Sequence, residues 1–156
     1  MTATEDGAIE TQRLFIPALG GLYEKGAPFA YAFMRFSAGA VLFPHGVDKL
    51  LHGSIERAAG GIAQHGLPLP LFLAVATVGA EFFAAAFLAL GLFTRLAAVV
   101  IWIEMTVIIF VYQWPNGYFW TNKGIEFALL WWLLCVAIFF RGGGRWSLDR
   151  LIGREF

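Results

Sequence analysis

The sequence has little charge and little cysteine, and each scarcity excludes a class of protein. Charged residues make up 14% of the 156 residues, against roughly 25% in an ordinary soluble domain, so a water-soluble protein is excluded. The single cysteine, Cys135, cannot form an internal disulfide or a CxxC redox pair. Its place within the last apolar run predicts a buried packing residue. The net charge is zero, which leaves no basic excess for binding a nucleic acid.

Several chemical signatures are also missing. The chain contains no GxGxxG motif, no P-loop and no Ser/His/Asp arrangement. Its histidines, at 45, 52 and 65, follow no metal-ligand spacing, and no thiolate or carboxylate completes a set. We therefore predict no metal site. The N-terminus lacks the basic region and apolar core of a cleavable signal peptide, so the first span is expected to direct insertion.

Apolar residues dominate what remains. Hydrophobic residues account for 59% of the chain, and about 20 of them in succession suffice for one transmembrane helix. Four such runs cover 28–51, 68–92, 96–114 and 122–140. They predict an all-α integral membrane four-helix bundle, 28–140, with 52–67 as a polar loop. Residues 1–27 would form an N-terminal tail, with a short interfacial helix near 13–25 as one interpretation, and 141–156 a basic C-terminal tail.

Basic residues between the runs predict the orientation. The side with both termini holds seven: Arg13, Lys25, Arg95, Arg141, Arg145, Arg150 and Arg154. The opposite side holds three: Lys49, Arg57 and Lys123. Because lysine and arginine accumulate on the cytoplasmic side of a membrane, both termini are expected in the cytoplasm. The location expected is a bacterial inner membrane.

Ionisable side chains inside the apolar runs are the best indication of function. Arg35, Glu81 and Glu104 fall at similar depths, on the cytoplasmic side of the midplane. Placing one such charged side chain at mid-bilayer raises the free energy of membrane insertion by about 2.5–3.5 kcal/mol on insertion scales. Arg35 would pair with one carboxylate, and the other carboxyl would hold a proton, as in a proton relay, a transporter or a quinone site. The alternative is an ion pair that only sets the packing of the helices.

A second polar set is predicted near the outer surface. His45 and Lys49 are four residues apart and share a helix face. The set also includes Trp114, Tyr118, Trp120, Lys123 and Glu126. Such a set could hold a quinone ring or a small anion. The alternative is anchoring at the lipid headgroups, where tryptophan and lysine are common.

Several short motifs follow one another in a fixed order: Arg35 with Ala38-Gly39-Ala40, the element His45-Gly46-Val47-Asp48-Lys49-Leu50, Glu81, the turn Gly91-Leu92-Phe93-Thr94-Arg95-Leu96-Ala97-Ala98, and Gly124-Ile125-Glu126. In this order and spacing they resemble the DoxX family of small four-helix membrane proteins. The resemblance covers 28–140. It implies that Arg35, His45, Lys49, Glu81 and Glu126 are shared polar residues, whereas Glu104 matches no family position.

The resemblance implies a redox role, since the family is named for similarity to a subunit of a thiosulfate:quinone oxidoreductase. This chain would then be a quinone-interacting or redox-linked subunit of a membrane oxidoreductase complex. It has no flavin, haem or iron–sulfur motif, so electrons would arrive from a protein partner. Two alternatives stay open: a non-catalytic anchor or assembly subunit, and a small-solute or proton transporter. The expected partners are the lipid bilayer and either a redox complex or further copies of this chain.

Overall fold

Helices build all the regular structure of residues 14–155, the part of the chain that the computed structural model describes. The main helices are α1 (Gly20–Leu51), α2 (Ser54–Gln64), α3 (Pro70–Leu90), α4 (Thr94–Asn116), α5 (Glu126–Arg141) and α6 (Leu148–Ile152). Short 3-10 turns precede α1 at Pro17–Leu19 and α5 at Trp120–Asn122. The all-α prediction is confirmed.

Among the described residues, α3 and α4 are the two helices that are both long enough and apolar enough to cross a membrane. A tight turn joins them. Gly91 adopts the left-handed backbone conformation at φ 69°, and the amide of Leu92 donates to the carbonyl of Phe87, as in a Schellman motif. This turn makes α3 and α4 antiparallel neighbours.

Small residues let the helices approach closely. A Cβ atom on Gly39 or Gly46 of α1 would collide with the backbone of α3. The helix α4 packs along α5. Leu88, Ile101 and Ile138 are fully buried in the core that α3, α4 and α5 share. Cys135 is also fully buried there, which confirms the prediction of a packing residue.

Two π-helical segments interrupt the apolar helices. Gly79–Ala84 lies within α3 and Ile108–Gln113 within α4. A π segment carries an extra residue per turn, rotates the side chains that follow and is frequent at functional sites. Glu81 lies inside the first segment and Tyr112 inside the second.

The prediction that 52–67 is a loop is wrong, because α2 occupies most of it. Gly53 supplies a left-handed turn at φ 60°, and the helix buries Ser54 and Ile62 while packing against α3. The neighbouring Gly60 and Gly61 hid this helix in the sequence, since glycine opposes helix formation by about 1 kcal/mol. At the N-terminal end, α1 already begins at Gly20, whereas Arg13 of the predicted interfacial helix lies outside the described residues.

The residues predicted as a C-terminal tail fold back onto the α3–α4 turn. The carboxylate of Asp149 accepts hydrogen bonds from the Phe93 amide at 2.6 Å, the Thr94 amide at 2.9 Å and the Thr94 hydroxyl at 2.7 Å. Its own amide donates to Gly91 at 2.9 Å. A negative charge at the start of α4 satisfies unpaired amides and complements the helix dipole. Asp149 therefore caps α4 from a distant part of the chain.

Replacement of Asp149 by alanine should release this segment, because it leaves buried amides of α4 without an acceptor. We expect the free energy of unfolding to fall by about 2 kcal/mol and trypsin to cleave faster after Arg150. Asp48→Ala is the control, since the exposed carboxylate of Asp48 contacts its helix neighbour His52. Equal protease resistance of Asp149→Ala and the unaltered protein would contradict the cap.

Gly46→Ala should force α1 and α3 apart. The added Cβ atom would lie 2.5 Å from the Phe82 backbone nitrogen, a contact that no side-chain rotation relieves. We expect a loss of about 2 kcal/mol, as for other overpacked positions, in SDS-induced unfolding followed by circular dichroism. Gly60→Ala is the matched control, because nothing lies within 4 Å of its Cβ position, and its stability should be unchanged or higher.

Candidate functional site

A cavity of about 560 Å³ lies between α3 and α4 and beneath α2. Ligand pockets in proteins usually occupy about 300–1,000 Å³. The wall is mostly apolar, with a few converging polar side chains. The polar members are Lys49, Thr77, Glu81, Glu104 and Tyr112. This composition is typical of a site that binds an apolar molecule and orients it through a few polar groups.

An ion pair forms one side of the cavity. The ammonium of Lys49 contacts the Oε2 atom of Glu81, and both side chains are largely buried. Lys49 follows Gly46 by three residues and so lies on the same face of α1, where that helix touches the π segment of α3. The close helix approach at Gly46 therefore brings the two charges together.

The carboxyl of Glu104 faces this pair from α4. Glu104 is 9% exposed, and neither of its oxygens has a hydrogen-bond partner among the described residues. Burial strongly disfavours the ionised form of a carboxyl group unless that form is paired with a cation or accepts hydrogen bonds. Glu104 is therefore the one acid of the cavity available to a proton or to a ligand.

Both acids line the same cavity because their helices are antiparallel. Glu81 lies ten residues before the turn at Gly91, and Glu104 lies ten residues after Thr94. At 1.5 Å per residue, both are about 15 Å from the turn. The sequence predicted Glu81 and Glu104 at similar depths, and the structure has both at the same distance from the turn.

The expected pairing of Arg35 with these acids is wrong. Its guanidinium donates instead to the carbonyls of Leu88, of Ala89 at 2.8 Å and of Trp146 at 2.7 Å. The last carbonyls of a helix have no partner within it, and a cation there complements the helix dipole. Arg35 meets the end of α3 rather than its middle, because it lies 14 residues, roughly 21 Å along α1, from Lys49. The cation of the acidic cluster is Lys49.

Five members of the predicted outer set, Trp114, Tyr118, Trp120, Lys123 and Glu126, lie in the hairpin of residues 114–126 that joins α4 to α5, and Lys49 does not join them. Glu126 accepts a hydrogen bond from the Trp120 amide at 3.0 Å, and the carbonyl of Lys123 accepts one from Asn116. Trp114, Tyr118 and Trp120 are exposed, and so is His45 on α1. These contacts order the hairpin, and neither the hairpin residues nor His45 line the cavity between α3 and α4.

Sequence reasoning missed Thr77, Tyr112 and the cover provided by α2. The signal was present in the spacing: Leu73, Thr77 and Glu81 recur every four residues on α3. Glu104 and Tyr112 repeat the pattern on α4, with Ile108 between them. Residues four apart share a helix face. The residues spaced by four from Glu81 and from Glu104 therefore predict the two helix faces that line the cavity.

Removal of one member of the buried ion pair should destabilise the protein more than removal of both. Lys49→Met leaves the Glu81 charge without a partner and should cost about 3 kcal/mol. The double variant with Glu81→Leu should recover much of that loss, with a coupling of about 2 kcal/mol in SDS-induced unfolding.

The exposed pair Asp48 and His52 provides a matched double-mutant cycle. The coupling energy between these two residues should stay below about 0.5 kcal/mol. Equal couplings for the two pairs would show that the Lys49–Glu81 contact is not held in a buried environment.

Comparisons with known proteins agree with this architecture. The family model described as DoxX matches residues 30–114, which include Arg35, Lys49, Glu81 and Glu104. The chain is 35% identical over 129 residues to an uncharacterized protein of Haemophilus influenzae, a match that covers 81% of this chain and 92% of that protein. No solved structure matches the chain significantly. The helical architecture, the two apolar spans and these matches together identify the chain as a membrane protein of the DoxX family.

Proposed function

We propose that this DoxX protein binds a quinone in the cavity between α3 and α4, as the quinone-interacting subunit of a bacterial inner-membrane oxidoreductase complex. One observation carries the proposal: the buried carboxyl of Glu104, which has no hydrogen-bond partner within residues 14–155, lines a mostly apolar cavity of about 560 Å³. That carboxyl supplies a proton, and the apolar walls suit a ring.

The arrangement of the helices supports four spans with both termini in the cytoplasm. Besides α3 and α4, α1 has 32 residues and is long enough to cross the bilayer. The 16 residues of α5 extend about 24 Å. Aromatic residues at the start of α5 and Arg141 at its end can reach the headgroup layers on either side. The basic residues then remain concentrated on the side with the termini.

The residues present fit a quinone headgroup. The ammonium of Lys49 and a protonated carboxyl at Glu104 are hydrogen-bond donors for quinone carbonyls, which only accept. Val100 and Ile108 offer apolar contact to the ring. A bound quinone would take up two electrons and two protons on reduction to the quinol. Glu104 is placed to deliver one of the two protons, the second proton would come from water, and both electrons would come from a redox protein bound to this chain.

Quinone quantified in solvent extracts of the gently purified protein tests this proposal. We expect a stoichiometric amount with the unaltered protein and loss of the quinone in Glu104→Leu, which removes the proton and the hydrogen-bond donor. Glu126→Gln is the control, since Glu126 lies in the outer hairpin, and it should retain the quinone. Glu81→Gln should bind less, because it disturbs the position of Lys49.

Quinone that persists undiminished in Glu104→Leu would contradict a quinone site that depends on this carboxyl. Absence of quinone from the unaltered protein would favour the second candidate, a non-catalytic anchor or assembly subunit. The exposed aromatic residues of the hairpin, Trp114, Tyr118, Phe119 and Trp120, favour that candidate, because aromatic side chains are enriched where proteins bind partners. A redox protein that copurifies without quinone would then identify this chain as its membrane anchor.

A further inference from the structure

We infer that the ligand is an amphiphile whose hydrocarbon chain leaves the cavity sideways, into the bilayer, between α3 and α4. This inference rests on the proposed function and adds a route and a shape to it. The polar head would lie at Lys49 and Glu104, and the chain would cross the lateral opening bordered by Ala76, Ile103 and Val107.

Polarity changes along the length of the cavity. On α3 the wall runs from Leu73 through Thr77 to Glu81, eight residues or about 12 Å. Across from it, Glu104 is followed outward by Ile108. The charged groups are therefore gathered at the deeper end, and the remainder is apolar apart from two hydroxyls. A ligand with one polar end would place that end at the glutamates.

The outer end of the cavity is covered. Ile62 of α2 is buried and lines the cavity, as does Leu67 after the helix. The ring of His65 lies against the ring of Tyr112, with centroids 4.3 Å apart, and joins the end of α2 to α4. A chain that left the cavity toward the outer aqueous phase would have to displace this cover.

The side of the cavity between α3 and α4 is open. Ile103 and Val107 line the cavity although 60% and 39% of their surface, respectively, is exposed. Ala76 on α3 is likewise both exposed and part of the wall. A residue that lines a cavity and also reaches the protein surface marks an opening, and these residues belong to the two described helices that are long and apolar enough to cross a membrane. The opening therefore faces lipid.

The chemistry of this opening selects the part of the ligand that crosses it. All three bordering residues are aliphatic, so they offer no hydrogen bond or charge. Hydrocarbon gains about 0.8 kcal/mol per buried methylene when it leaves water, but passing from the cavity into lipid costs it little. A lipid-soluble molecule can thus enter through the opening between α3 and α4, with its polar head directed toward Glu104.

Two ligands and a matched pair of variants test the route. The ligands are a dimethoxy-methyl-benzoquinone that carries a decyl chain and the same ring without the chain. Ala76→Phe fills the opening, whereas Val75→Phe places the same ring on a neighbouring exposed residue that does not line the cavity. Binding is measured by titration of the full chain in lipid nanodiscs, and each ligand is compared across variants so that its partition into lipid cancels.

We expect Ala76→Phe to weaken binding of the decyl quinone about tenfold, because the added ring occupies the opening through which the decyl chain must pass. Binding of the chainless ring should stay within about twofold, and Val75→Phe should change neither. Val107→Phe, from the other side of the opening, should reproduce the selective loss.

Equal weakening of both ligands, no weakening of either, or the same loss in Val75→Phe would overturn the lateral route while leaving the quinone site in place. Failure of the unaltered protein to bind either ligand would overturn the proposed function itself.

Discussion

The close contact between α1 and α3 is the constraint on which the rest of this structure depends. At Gly46 no side chain separates α1 from the backbone of α3, so Lys49 reaches Glu81 within the protein interior. Charges of opposite sign offset the cost of burial only when their geometry is good. Without the glycine, Lys49 would move away and Glu81 would be left buried beside Glu104. The two acids and the cation therefore form one unit whose existence depends on helix packing.

Helix ends impose a second requirement at the opposite end of the bundle. The last carbonyls of α3 and the first amides of α4 need partners, and water is scarce beside apolar spans. Arg35 supplies donors to the carbonyls, and Asp149 supplies acceptors to the amides. These two charges, which lie far apart in the sequence, thus stabilise the same turn. Their role is to complete the ends of helices, whereas the carboxyl of Glu104 in the cavity stays available for a ligand.

Particular residues show how much of this could be predicted. Apolar runs around Glu81 and Glu104 predict α3 and α4, because such runs are rarely stable except as buried or lipid-facing helices. The depth of each glutamate follows from its distance along the helix to the turn. The partner of Arg35 could not be predicted, since pairing depends on how far each helix is shifted along its neighbour. The helix α2 was missed because two glycines weaken its local signal, whereas its packing against α3 stabilises it.

By itself, the sequence determined the helical class, the two apolar helices α3 and α4, the family and the distance of each glutamate from the turn between those helices. These properties follow from composition, hydropathy and residue spacing, which act locally along the chain. Only the tertiary structure decided which charges meet, that Lys49 rather than Arg35 approaches Glu81, and that the C-terminal residues cap α4. It also created the cavity between α3 and α4. Such features arise from the rotation and relative shift of packed helices, which depend on contacts between residues that are distant in the sequence.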